Sequence, residues 1–325
     1  MNCSALMVEA SSRRRFLGGL AAGLLTAEAA FGKPRNIDIT RFSAITDECA
    51  KSPAEAIAFA KKYGLQFVEL RGVPGARMSY EALPDDQLRQ AAQEFRGAGL
   101  RVSFLDAGLY KYSLPGTEPL RRTPEAPEAR ARRIKRDGES FERRMELLNR
   151  ALNAAKILGT DKVRVFTFLR VAEPMALLPR IAGILEPMVE VARKQKITLL
   201  IENESSCNAA TCVELAEMMK LLPSKWIGIN WDPHNGFAHK EIPFPDGYRL
   251  LPKKRLGNVQ IKGRSLLTEF PDRFDWKAIF DTMLADGYKG HFGLETHIFG
   301  EEQIRRSHEC MQEIHRLIGS RPPAA

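Results

Sequence analysis

Histidine and cysteine are both scarce in this chain, with six and five among 325 residues. No histidine precedes residue 234, so a cluster of several metals held by many imidazoles has no ligands to draw on in the earlier sequence. The cysteines, Cys3, Cys49, Cys207, Cys212 and Cys310, form no Cys-x-x-Cys pair and no regular framework. That argues against a thiolate zinc site and leaves free thiols, or at most one disulfide. Long apolar runs are also missing. Beyond the N-terminal segment nothing is long and apolar enough for a membrane helix, so no stable membrane insertion is expected. No glycine-rich phosphate loop follows the first strand-like run, which leads into Thr46-Asp47-Glu48. Excess charge is modest, with Lys and Arg outnumbering Asp and Glu 49 to 40. Part of the excess lies at the N-terminus and part between Arg121 and Arg144. No nucleic-acid module accompanies it, so no nucleic-acid partner is expected. A solvated basic surface is the plain reading, and steering of an anionic substrate is the functional one.

The N-terminus carries an address. Residues 12–18 read Ser-Arg-Arg-Arg-Phe-Leu-Gly, an Ala- and Gly-rich apolar stretch runs from Leu20 to Leu25, and Ala27-Glu28-Ala29 supplies a small-x-small cleavage pattern. A basic segment, a short apolar segment and such a site together make a signal peptide. The paired arginines before Phe16-Leu17 resemble a twin-arginine (Tat) signal. Residues 1–29 are thus expected to be a leader read by the Tat export machinery, with a periplasmic or otherwise exported mature protein. The Tat route, as the resemblance implies, carries folded proteins.

With 44% hydrophobic and 27% charged residues the chain can bury a large core unaided. After the leader, strand-like and helix-like runs alternate. The strands are expected at 37–45, 67–70, 102–105, 162–168, 198–201, 226–231, 258–261 and 291–294. Helices are expected at 53–63, 85–98, 141–158, 174–194, 209–222, 248–255 (weak), 276–286 and 301–318, with Gly64, Gly99 and Gly159 as stops. A Pro- and Arg-rich insertion at 113–137 reads as a solvated loop, with a lid or an oligomer contact as alternatives. Strands alternating with helices imply βαβ units. Eight such units predict an α/β fold, a single-domain (β/α)8 barrel over residues 30–319, ahead of a disordered tail at 320–325. A doubly wound open sheet is the competitor.

In such a barrel the active site lies at the C-terminal ends of the strands. The fifth expected strand ends at Glu202, the sixth at Asp232, the seventh carries Gln260 and the eighth ends at Glu295. The intervals are 30, 28 and 35 residues, each about one βα unit. Four oxygen-bearing side chains therefore reach neighbouring strands at a similar level. Three carboxylates so close repel one another unless a cation sits among them. Oxygen ligands of this kind suit Mg²⁺, Mn²⁺ or Co²⁺ better than Zn²⁺.

At these residues the sequence resembles the xylose-isomerase-like superfamily of TIM barrels, often called sugar phosphate isomerases/epimerases. The matching stretches are LLIENE (199–204), GINWDPHN (228–235), NVQIKGR (258–264) and FGLETH (292–297). The likeness spans roughly residues 37–318, with its specific content in the second half. It implies one divalent metal on Glu202, Asp232, Gln260 and Glu295. It also implies Glu202 and Glu295 as the acid/base pair that moves a proton beside a carbonyl of a small carbohydrate, through an enediolate. Gln260 departs from the family's commoner His and looks like the hydroxypyruvate-isomerase branch. Asn235 stands where ketose 3-epimerases often carry His, with His234 one place earlier. Arg264, His234, Lys262, Trp231 and His297 are the candidate substrate contacts, with packing as the plainer role for Trp231. An isomerase or epimerase is the leading expectation. A lyase or hydrolase of oxidised glycosides and a non-catalytic sugar-binding barrel are the alternatives, and homo-oligomerisation is open. An endonuclease IV-like enzyme lacks its histidines here.

Overall fold

The structure, a computed structural model, describes residues 37–323 except 122. The leader and its cleavage pattern lie outside the described residues. The elements run β1 (Phe42–Ala44), α1 (Thr46–Cys49), α2 (Pro53–Lys62), β2 (Phe67–Leu70), α3 (Asp85–Gly97), β3 (Arg101–Leu109), α4 (Pro127–Glu142), α5 (Arg144–Leu158), β4 (Lys162–Val165) and α6 (Pro174–Lys194). They continue with β5 (Thr198–Glu202), α7 (Cys212–Leu221), β6 (Ile227–Trp231), α8 (Pro233–Phe237), α9 (Tyr248–Leu250), β7 (Leu256–Lys262), α10 (Gly263–Leu266), α11 (Trp276–Ala285), β8 (His291–Glu295) and α12 (Gln303–Leu317).

All the strands pair in parallel in the order β1-β8-β7-β6-β5-β4-β3-β2. A single parallel bridge, Ile45 to Glu69, joins the two ends. The result is a nearly closed (β/α)8 TIM barrel in a single domain, as the alternation predicts. Helix ends follow local chemistry. The Ser52 hydroxyl caps α2 ahead of Pro53, Thr211 and Glu214 form a reciprocal capping box on α7, and Gly159 closes α5 in the left-handed region. Strand residues alternate between two environments. Val163, Val165, Leu199, Ile201, Ile227, Ile229, Val259, Ile261, Phe292 and Leu294 belong to the apolar core shared with the helices. Their neighbours Arg164, Glu202, Asn230, Gln260 and Glu295 are buried inside the barrel.

Several expectations are corrected. The first strand is short because Ile39–Arg41 is a 3-10 turn, held by the Asp38 carboxylate accepting from Thr40 N–H. The fourth strand stops at Val165, and Phe168 beyond it is left-handed. The weak helix at 248–255 ends at Leu250, since Leu251 precedes Pro252 and is extended. Ser320, placed in the disordered tail, is held by its hydroxyl against His315 Nδ1 at 2.8 Å. The four cysteines among the described residues are free and buried. No helix of the described residues is long and apolar enough to cross a membrane.

The largest correction is the insertion, whose second half is α4. Its buried positions are Arg133 and Asp137 rather than apolar residues, so hydrophobic periodicity is silent there. Arg133 donates to Glu125 Oε2 at 3.0 Å, Glu118 Oε1 at 3.1 Å and the Ser113 hydroxyl at 3.0 Å. Asp137 accepts from Ser113 N–H at 3.1 Å. The loop is therefore tied to the helix by polar clamps. Arg133→Ala is expected to cost about 2 kcal/mol, the scale of hydrogen bonds to charged groups, and to open 113–126 to protease. Denaturant melts and limited proteolysis check this, and a loop cut no faster than in wild type sinks it.

Candidate metal centre

Three of the four predicted ligands converge, and Gln260 lies two residues below the level of Glu295, opposite Gly293. Glu202, Asp232, Gln260 and Glu295 are all buried at the C-terminal end of the barrel. One oxygen each from Glu202, Asp232 and Glu295 lie within 4.8 Å of one another. Pairing sets their level. Glu202 lies opposite Asn230, Gln260 opposite Gly293 and Lys262 opposite Glu295. Glu202 Oε2 accepts from Arg164 at 3.0 Å and from the Asn230 amide at 2.9 Å. Asp232 accepts from Asn235 N–H and from the Asn235 amide, both at 3.0 Å, and meets Lys262 Nζ at 2.9 Å. Glu295 Oε1 accepts from Arg71 at 3.2 Å, while Glu295 Oε2 and Gln260 Oε1 are buried without a hydrogen-bond partner among the described residues.

Below this ring lies a polar floor that the sequence did not reveal. Glu69 on β2 accepts from the Ser43 hydroxyl at 2.7 Å, the Asn258 amide at 3.2 Å and the Gln260 amide at 2.8 Å. Asp106 on β3 faces Arg164 at 3.4 Å. Arg164 on β4 also donates to the Asp106 and Ala107 carbonyls at 2.8 and 3.2 Å. At the mouth, Arg71 pairs with Asp47 at 3.0 Å and with Glu48 at 2.9 Å as well as with Glu295. None of these residues ends a strand in a recognisable motif. What could have found them is the period-2 alternation, which puts Glu69, Asp106 and Arg164 inside.

The remaining candidates divide. Lys262 is buried in the ring, 2.9 Å from the Asn235 side-chain oxygen and 3.9 Å from Glu295 Oε2. His297, left-handed at φ 50°, holds Nδ1 3.4 Å from Glu295 Oε1 and donates its N–H to Glu48. His234 faces Asp272 at 3.5 Å. Arg264 is half exposed, 3.6 Å from the same Asp272, with its guanidinium over Phe270. Trp231 does not join the site. It neighbours Asp232 in sequence, so it takes the opposite face of β6, fully buried against Tyr248 with ring centroids 5.4 Å apart.

Electrostatics gives the arrangement its character. Glu48, Glu69, Asp106, Glu202, Asp232 and Glu295 are six buried carboxylates. Among them stand three full cations, Arg71, Arg164 and Lys262. Burial pushes the Glu202 carboxyl up to about 7, with Glu295 and Asp232 adding repulsion against the pull of Arg164. Burial raises Asp232, Glu69 and Glu48 too, and Asp106 strongly, with the Glu69 charge beside it. Burial acts on Glu295 in the same direction, but Lys262, His297 and Arg71 overcome it and hold that carboxyl well below its usual range. An excess of negative charge on oxygen donors, with free acceptors on Gln260 and Glu295, fits a hard divalent cation. The Asp232 oxygens retain lone pairs beyond their present hydrogen bonds.

A sequence profile described as Xylose isomerase-like TIM barrel matches residues 57–314. The chain belongs to the xylose isomerase-like TIM barrel family. Solved structures share this barrel at low identity. A 3-keto-D-glucoside 4-epimerase from E. coli superposes with TM-score 0.63 and 14% identity, covering 86% of this chain and 98% of that one. A family member from Mycobacterium smegmatis in complex with magnesium gives 0.60 and 14%, over 86% and 97%. A D-allulose 3-epimerase from Methylomonas sp., in complex with D-allulose, gives 0.57 and 17%, over 81% and 85%. No curated protein matches the chain in sequence.

Within this family barrel, the floor depends on one absent side chain. A Cβ at Gly293 would come 2.1 Å from Glu69 Oε1, and Glu69 is held by three donors and cannot yield cheaply. Gly293→Ala is expected to destabilise the fold by about 2 kcal/mol, the scale of overpacking. A urea melt with an unchanged midpoint would contradict this.

Proposed function

We propose that this protein is a divalent-metal-dependent isomerase or epimerase acting on a sugar, keto-sugar or related polyol. The observation that carries the reading is the convergence of Glu202, Asp232 and Glu295 within 4.8 Å, and the buried, unpartnered oxygen of Gln260 on β7 adds to it. Glu202, Asp232, Gln260 and Glu295 would hold the ion, with Mn²⁺, Mg²⁺ or Co²⁺ the suitable choices for an all-oxygen set. When bound, the cation supplies positive charge to the oxygens flanking the reacting carbon, which stabilises an enediolate.

The protein's own residues do the rest. Glu202 and Glu295 stand on β5 and β8 with β6 and β7 between them. They therefore reach a substrate in the mouth from two sides, which suits one carboxylate removing a proton and the other returning it. Arg164 and Asn230 fix Glu202 by Oε2. Arg71 and His297 fix Glu295 by Oε1 and leave Oε2 without a hydrogen bond. Lys262 and His297, partly or wholly within the ring, are the donors best placed for substrate oxygens. The similar epimerases of D-allulose and of a 3-keto-D-glucoside support a carbohydrate substrate.

The test is deuterium exchange. With Mn²⁺ and a panel of keto-sugars in D2O, wild type should incorporate deuterium at the carbon beside the carbonyl, read by proton NMR. Glu202→Gln and Glu295→Gln should each slow the exchange at least about 100-fold, the usual scale of acid–base catalysis. Variants that exchange as fast as wild type would remove both residues from the mechanism.

A further inference from the structure

We infer that Glu69 and Asp106 are positioning residues for the metal centre, fixing the Gln260 amide so that its nitrogen faces the barrel floor and its oxygen faces the ligand ring. The inference rests on the reading of Glu202, Asp232, Gln260 and Glu295 as ligands, and deepens it.

A glutamine amide carries a donor end and an acceptor end, and only the oxygen can bind a cation. Half a turn about its last torsion exchanges the two. At an exposed site both orientations are open. Gln260 is fully buried, and its surroundings are not symmetric. Its Nε2 donates to Glu69 Oε2 at 2.8 Å and points to Asp106 Oδ1 at 3.4 Å. Both present carboxyl oxygens to that donor. The reversed amide would set Oε1 against those oxygens and take the Gln260 donor from Glu69 Oε2, which low-dielectric surroundings penalise. In the retained orientation Oε1 meets no donor among the described residues.

The two acids are themselves held. Ser43 and Asn258 donate to Glu69 Oε1, which leaves Oε2 for Gln260. Gly293 leaves the room that Glu69 fills. Arg164 lies 3.4 Å from Asp106 Oδ1 and grips the backbone carbonyl of the same residue. Glu69 on β2 and Asp106 on β3, strands that supply none of the proposed ligands, thus act on the site through one amide, while Arg164 on β4 also holds Glu202 directly.

The experiment measures Mn²⁺ affinity of the chelator-stripped protein by electron paramagnetic resonance of the free ion. It uses wild type, Glu69→Gln, Gln260→Ala and the double variant. Glu69→Gln offers an amide donor that a reversed Gln260 can accept. It should weaken Mn²⁺ binding roughly 10- to 100-fold, the scale for groups that orient a ligand. In the Gln260→Ala background the same change should shift affinity less than about twofold, because the residue it acts through is gone. Glu69→Gln binding as tightly as wild type, or weakening both backgrounds equally, overturns the positioning role while the ligand set stands. Wild type that takes up no Mn²⁺ overturns the ligand set itself, and this inference with it. If thermal melts show Glu69→Gln unfolded, Asp106→Asn carries the same cycle at the other acceptor, with the same expected direction and the same overturning results.

Discussion

The constraint on which this structure depends is the concentration of buried acid inside the barrel. Six carboxylates and three full cations share a volume from which water is largely excluded. An unpaired buried charge is costly, and removing one partner of a pair exposes that cost. Each cation is therefore shared. Arg71 serves Asp47, Glu48 and Glu295, Arg164 serves Asp106 and Glu202, and Lys262 serves Asp232 with Glu295 at longer range. Neutral amides on Asn230, Asn235, Asn258 and Gln260 complete the hydrogen bonding. The remaining excess of negative charge can be met by protons or by a divalent ion.

The barrel makes this possible by dividing its labour. Outward strand residues join the helices in one apolar core, which supplies the burial that holds the fold together. The inward residues are then free to be polar, and they bear the strain of like charge. Gly293 shows how tightly the two roles meet, since the space of one missing side chain accommodates Glu69.

Much of this was legible in the sequence, and unevenly so. The alternation of strands and helices predicted the barrel, because parallel strands need crossover helices of recognisable period. Glu202, Asp232 and Glu295 were legible because they end or directly follow strands, and Gln260, inside β7, because it keeps the same βα interval. Arg71, Arg164, Glu69 and Asp106 were not. Three of these lie within strands and Arg71 directly follows one, and their partners are fixed only once the sheet closes. Helix α4 was hidden because the side chains it buries are Arg133 and Asp137. The placement of Trp231 followed from a rule available from the start, since residues adjacent to an inward ligand point outward.

The central claim is that one divalent ion sits among Glu202, Asp232, Gln260 and Glu295. The most direct measurement is an anomalous difference map, at the manganese edge, of crystals grown with Mn²⁺. The account predicts one peak within about 2.0–2.6 Å of an oxygen from each of the four residues, the range for hard cations on oxygen. The neighbouring cluster of Glu48, Glu295 and His297 could also hold an ion. A peak there alone, or no peak in the barrel, would contradict the account.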